Sequence, residues 1–225
     1  MQLVDVDGTQ VLVHRPATPA PWPAVVVLHE ASGLNRDIRR IVHHLVDLGY
    51  AAAAPALFSG GIGCIASTTR DALDPSRRGT TDRIERVRQW LADRDGVDGD
   101  RIGVIGFCMG GGFAVVAAAR SPFAAAAVNY GRVPKDPALL AGSCPVVANY
   151  GESDLLVPKD TARRYEAALN DHGVPIDVKV FPGVGHSFMN DEPAALRPLR
   201  IAFDGPTAKQ AWERIERFFA EHLHT

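Results

Sequence analysis

Hydrophobic and polar positions along the chain follow two rhythms. At the amino terminus they alternate in QLVDV (2–6) and QVLVH (10–14), with Asp7-Gly8 in the connection. Period-two alternation on both sides of an Asp-Gly pair predicts a β-hairpin. Further along, short continuous apolar runs take turns with segments of helical period. AVVVLHE (24–30), YAAAAPALF (50–58), RIGVIGF (101–107), AAAAVNY (124–130), PVVANY (145–150) and PIDVKVF (175–181) read as strands. Between them, Ile38, Ile41, Val42 and Leu45 share one face of a helix stopped by Gly49, and Ile84, Val87 and Leu91 share another that starts near Thr81-Asp82. An alanine-rich helix covers 109–120, one opening at Pro158 carries Tyr165 and Leu169, and the last buries Trp212, Ile215 and Phe219. Residues 59–79 have neither rhythm and read as a variable loop.

Continuous apolar strands alternating with helices specify a mostly parallel central sheet with helices on both faces, an α/β architecture. No repeat or low-complexity linker interrupts the pattern, so residues 1–225 are expected to form a single domain. Composition adds mainly exclusions. With 46% hydrophobic and 22% charged residues and a net charge of −2, the chain has the balance of a soluble protein and no basic block for nucleic acid or an anionic membrane. No apolar run is long enough to cross a bilayer, and the amino terminus lacks a signal-peptide pattern. Cys64, Cys108 and Cys144 are odd in number and widely spaced, which suits a reducing cytoplasm better than a disulfide framework.

In open sheets of this kind, chemistry collects at the carboxyl ends of the strands. One such end reads GFCMGGG (106–112) and leads straight into the alanine-rich helix. It fits the G-x-nucleophile-x-G elbow, with cysteine where serine is usual. The flanking Gly106 and Gly110 let the strand and helix backbones cross closely, and the helix tip favours a developing anion. Taken alone, Cys108 is as readily a small buried apolar residue. Two later strand tips bear on the choice. Asp154 stands in GESDLLVP, and His186 stands in PGVGHSF. Their order (nucleophile, acid, histidine) is that of the α/β-hydrolase triad. Separately, Asp154 could be a helix cap and His186 a loop histidine. His29 ends a strand beside Glu30, but HEASG has Gly33 where a zinc H-E-x-x-H motif needs its second histidine. No other cluster has metal spacing, so no metal and no cofactor are expected.

Together HEASGLN, GFCMGG, GESD followed by Pro158, and GHSF resemble the dienelactone hydrolase family, over a span from about residue 20 to the carboxyl terminus. The resemblance implies an α/β-hydrolase fold with a Cys-His-Asp triad at Cys108, His186 and Asp154, working through a thioester acyl-enzyme. It further implies a catalytic part for Glu30 and an oxyanion hole from the backbone N–H groups of Ala31 and Met109. An unperturbed cysteine is about 3% thiolate at neutral pH. A cationic His186 would raise that fraction and an anionic Glu30 would lower it, each by a few kcal/mol at about 4 Å and an effective dielectric of about 20. On this reading Glu30 keeps Cys108 a thiol at rest and takes its proton when substrate binds.

A thiolate attacks carbonyls well but is easily expelled, so substrates with good leaving groups are favoured: enol lactones, activated esters, thioesters. The family implies an unsaturated lactone whose carboxylate is held by arginines. Here the sequence departs, with Asn190 where the founding enzymes carry an arginine after the histidine. Arg70, Arg77 and Arg78 are candidates for a second one, Arg70 being placed in the substrate site with Tyr130 and Ser187. The expectation is a cytoplasmic hydrolase of small-molecule esters or lactones, a monomer or small homo-oligomer, with no nucleic-acid or membrane partner. A thioesterase or acyl transferase is the alternative enzyme. A non-catalytic binding protein of the same fold is the alternative outside enzymes.

Overall fold

The computed structural model describes residues 1–57, 79–191 and 194–224. The expected hairpin is β1 (Gln2–Val6) against β2 (Thr9–His14), antiparallel, with Val4 opposite Val11. Its two-residue turn needs positive φ at both central positions. Asp7 and Gly8 supply it at +49° and +79°, and Asp5 accepts the Gly8 N–H at 2.9 Å. The other strands are β3 (Trp22–Leu28), β4 (Ala51–Pro55), β5 (Val97–Phe107), β6 (Ala125–Asn129), β7 (Val146–Gly151) and β8 (Ile176–Phe181). All eight form one sheet in the order β1-β2-β4-β3-β5-β6-β7-β8. Every pairing from β4 through β8 is parallel, and only the hairpin side is antiparallel.

Among the described residues, five α-helices cover the two faces. Helices α1 (Arg36–Asp47) and α5 (Gly205–Leu223) lie on one side. On the other are α2 (Gly79–Ala92), α3 (Met109–Arg120) and α4 (Thr161–Asp171). Neighbouring positions of each central strand feed opposite faces: Val26 and Val104 face α2 and α3, whereas Val25, Val27 and Ile105 face α1 and α5. Burial on both faces is why these strands read as unbroken apolar runs. Helix α1 begins where Asn35 Oδ1 accepts the Ile38 N–H at 3.0 Å, a cap worth about 1 kcal/mol. It buries the four expected apolar residues. Helix α3 is buried on nearly all sides, from Gly110 through Ala118, which explains its lack of a polar face.

The boundaries differ from the sequence expectation by three or more residues in three places. Strand β4 stops at Pro55, because the Leu57 N–H turns away to the His29 ring at 3.0 Å. Strand β5 starts four residues before Arg101, because Val97 pairs with Trp22 across a register shift in β3. Helix α4 begins at Thr161, after a turn in which the Thr161 N–H reaches Pro158 O at 2.9 Å. Of the expected variable loop 59–79, Gly79 already belongs to α2, and the rest, with Cys64, Arg70, Arg77 and Arg78, lies outside the described residues.

Candidate active site

Cys108 sits between the last residue of β5 and the first of α3 with φ +53° and ψ −113°, a conformation that L-residues rarely adopt. Its neighbours leave no space for anything but glycine. A Cβ on Gly106 would stand 2.1 Å from Gly110 O, and one on Gly110 would stand 2.1 Å from Leu28 O and 2.7 Å from His29 O. Backbone therefore meets backbone on both sides of the turn. The start of α3 is pressed against the end of β3, just before Glu30 and Ala31. Cys108 and Cys144 are both partly buried, and burial pushes the Cys144 thiol up to about 12.

His186 lies at the tip after β8, almost fully buried, with Nδ1 2.6 Å from Asp154 Oδ2. The other Asp154 oxygen accepts the Leu156 and Val157 N–H groups at 2.7 and 3.1 Å. Asp154 thus does not cap the helix, which starts at Thr161 after Asp160; one of its oxygens ties the loop at Leu156 and Val157 and the other bonds the imidazole. The main-chain N–H of His186 donates to Arg200 O at 2.7 Å, and Tyr130 packs edge-on against the imidazole with ring centroids 5.0 Å apart. Burial lowers the proton affinity of the ring. The hydrogen bond to Asp154 and the nearness of the Cys108 side chain outweigh it, and the His186 pKa rises to about 10. Nε2, buried and without a conventional hydrogen bond, is left on the side away from the carboxylate.

Backbone strain gathers at the same place. Among the described residues five non-glycine residues have positive φ. Apart from Asp7 in the hairpin they are Cys108, Tyr130, Ser187 and Arg200, all at or beside His186 and the elbow. Such conformations cost about 1–3 kcal/mol each and persist where surrounding structure imposes them.

Glu30 is buried at the tip after β3. Asn190 Nδ2 donates to its Oε1 at 2.7 Å, and Ser187 Oγ reaches Oε2 at 3.4 Å. The residue standing where the family's founding enzymes carry an arginine is therefore fully buried and turned onto Glu30. Tyr130 is also fully buried, its ring spent on His186 and Phe188. His29, read from the sequence only as a strand end, has a defined task. Its Nδ1–H donates to Glu30 O at 2.6 Å while Nε2 accepts the Leu57 N–H at 3.0 Å. One neutral tautomer makes both bonds, and burial holds its pKa below the usual value against the backbone bond to Glu30.

The parallel sheet, the cysteine elbow between strand and helix, and the Asp-paired histidine at a later strand tip define an α/β hydrolase. The sequence profile of the dienelactone hydrolase family matches residues 9–223, and the chain belongs to that family. It is accordingly an ester or lactone hydrolase. A relative from Salmonella typhimurium, named "Putative carboxymethylenebutenolidase", is 30% identical over 92% of this chain and 80% of its own. The crystal structure of a "Putative Dienelactone Hydrolase" from Klebsiella pneumoniae subsp. pneumoniae superposes with a TM-score of 0.81, at 26% identity over 98% of each chain. That of a dienelactone hydrolase-like promiscuous phosphotriesterase from metagenomic libraries gives a TM-score of 0.85 at 24% identity, over 95% of this chain and 92% of that one. No helix among the described residues is long and apolar enough to cross a membrane, and no group of residues there could hold a metal ion.

Proposed function

We propose that the enzyme hydrolyses small carboxylic esters and lactones with good leaving groups, using Cys108 as nucleophile, His186 as proton carrier and Asp154 as its orienting anion. The observation that carries the reading is the strained, glycine-hemmed Cys108 beside an imidazole bonded to Asp154 at 2.6 Å. The Cys108 sulfur, its proton taken by Glu30, attacks the carbonyl carbon as thiolate beside the protonated His186. The tetrahedral oxyanion is taken by the N–H groups of Ala31 and Met109, a reading supported by the close approach of the start of α3 to the end of β3. Collapse breaks the bond to the leaving alkoxide or enolate, which receives the His186 proton, and leaves a thioester. Water, deprotonated by His186, attacks the thioester; the C–S bond breaks, the acid product is released, and the Cys108 thiolate recovers its proton from Glu30.

Glu30 sets the resting balance. An anion beside the elbow opposes the thiolate, while the His186 cation favours it, so Glu30 biases Cys108 toward the resting thiol and takes its proton when substrate binds. Asn190 and Ser187 hold Glu30 in that position. Because Asn190 is buried against Glu30, it offers nothing to a substrate carboxylate. The test is hydrolysis of p-nitrophenyl acetate by the wild type and Cys108→Ala. The reading requires loss of nearly all turnover in the variant, and equal rates would end it. Capture of the acyl group by added alcohol or thiol, in preference to water, would instead make the enzyme an acyl transferase.

A further inference from the structure

In two neighbouring strands an asparagine follows the apolar run: AAAVN in β6 and VVAN in β7. Asn129 and Asn149 are fully buried, although the preceding positions on the same faces, Ala127 and Val147, are apolar. Burying two carboxamides is costly unless every link is bonded. Here they are linked in series. Arg214 of α5 donates to Asn149 Oδ1 at 2.5 Å, Asn149 Nδ2 donates to Asn129 Oδ1 at 3.0 Å, and Asn129 Nδ2 donates to Gly106 O at 3.2 Å. The head of the series is anchored on β8, where Arg214 bonds Asp177 O at 3.0 Å and its carboxylate at 2.7 Å.

We infer that Arg214, Asn149 and Asn129 form a directed hydrogen-bond chain that positions the Cys108 elbow. They are positioning residues for the acylation step, and the inference rests on the reading of Cys108 as nucleophile. Direction follows from chemistry. A guanidinium can only donate, so Asn149 must turn its oxygen to it and its NH₂ to Asn129. Asn129 must then present its own oxygen and is left with NH₂ for Gly106. One cation at the sheet edge therefore orients both amides, and each donor is polarised by the one before it. At the far end Asn129 grips the chain on both sides of Phe107. Its side chain holds Gly106 O and its main-chain carbonyl accepts the Cys108 N–H at 3.1 Å. These are the two peptide groups through which the backbone enters the strained +53° turn.

The variant that separates positioning from stability is Asn149→Asp. The new carboxylate accepts from Arg214 at least as well as the amide did, so the fold keeps its anchor. It cannot donate to Asn129, whose side chain must rotate its NH₂ toward the carboxylate and its oxygen toward Gly106 O. The elbow then loses its donor while the shape of the core is unchanged. Single-turnover acylation by p-nitrophenyl acetate, steady-state KM and thermal melting are measured on wild type, Asn149→Asp, Asn129→Ala and Cys108→Ala. The expected result is acylation slowed about tenfold or more in Asn149→Asp, with KM changed less than about twofold and the melting temperature close to wild type. Asn129→Ala should be slowed at least as much per folded molecule. Wild-type acylation in Asn149→Asp, with Cys108→Ala inactive, would overturn the inference and leave the nucleophile standing. Full activity of Cys108→Ala would overturn both.

Discussion

Gly110→Ala adds one methyl group to the molecule, and its consequences can be worked from the geometry. The new Cβ would lie 2.1 Å from Leu28 O, 2.5 Å from Leu28 C and 2.7 Å from His29 O. All three are main-chain atoms of β3 and its tip, so no side chain can swing aside. Reaching a tolerable contact requires α3 and the β3 tip to separate by about 1 Å, in a core packed without slack. Overpacking of this kind costs about 3 kcal/mol, at the upper end of its usual range. For a domain of this size that lowers the melting temperature by roughly 6–12 °C. The same separation pulls Met109 away from Ala31 and so widens the proposed oxyanion hole. A displacement of that size should lower kcat about 100-fold. Gly112→Ala, two residues on in the same helix, is the internal control: its Cβ would come no nearer than 3.4 Å to any atom outside its own helix backbone. Relieved of glycine's entropic cost, that variant should be neutral or stabilised by up to about 1 kcal/mol. Thermal melts and p-nitrophenyl acetate turnover on the two variants decide the matter. If Gly110→Ala melts and turns over like the wild type, the close approach of α3 to β3 is not what holds the elbow.

Other perturbations probe the remaining groups. Asp154→Asn keeps the shape but removes the anion from His186, and should lower kcat by about 10³–10⁴-fold with a fall in the imidazole pKa, followed by histidine NMR. Glu30→Gln removes the charge that opposes the thiolate, so alkylation of Cys108 by iodoacetamide near pH 7 should speed up and its pH profile shift to lower pH; an unchanged profile would remove Glu30 from the control of the thiol. Stability should vary with pH in two opposite ways. His186, raised to about 10 in the folded protein, contributes stability that is complete below its unfolded value of about 6.5 and is lost as pH rises through about 10. His29 is depressed, so its contribution is present above about 6.5 and is lost as pH falls below it, since the unfolded chain then binds the extra proton. Urea melts from pH 5 to 10 should therefore show losses at both ends, and His29→Gln should flatten the acid one.

The parts of the molecule visible in the sequence are those whose cause is local. Val25 to Leu28 and Val146 to Ala148 announce buried strands because both faces are covered. Asp7-Gly8 announces a hairpin because only such residues tolerate its φ values. Cys108, Asp154 and His186 could be picked out because strand tips are few and the three stand there in the order of a hydrolase triad. What escaped depends on contacts between distant segments. Asn190 meets Glu30 across 160 residues of chain, and Leu57 meets the His29 ring across 28. Asn129 and Asn149 did leave a trace, each following an apolar run in the same Asn-Tyr-Gly tip, but the use of that trace depends on Arg214 arriving from α5. Strand β5 begins early because Trp22 pairs with Val97 across a register shift, which residue periodicity does not encode.

The central claim is that Cys108 carries the acyl group, and rapid-quench mass spectrometry of the enzyme mixed with p-nitrophenyl acetate tests it most directly. The account predicts a transient gain of one acetyl group on the peptide containing Cys108, removable by hydroxylamine and absent in Cys108→Ala. An acetyl group found on any other residue at the burst, or turnover by Cys108→Ala at the wild-type rate, would contradict it.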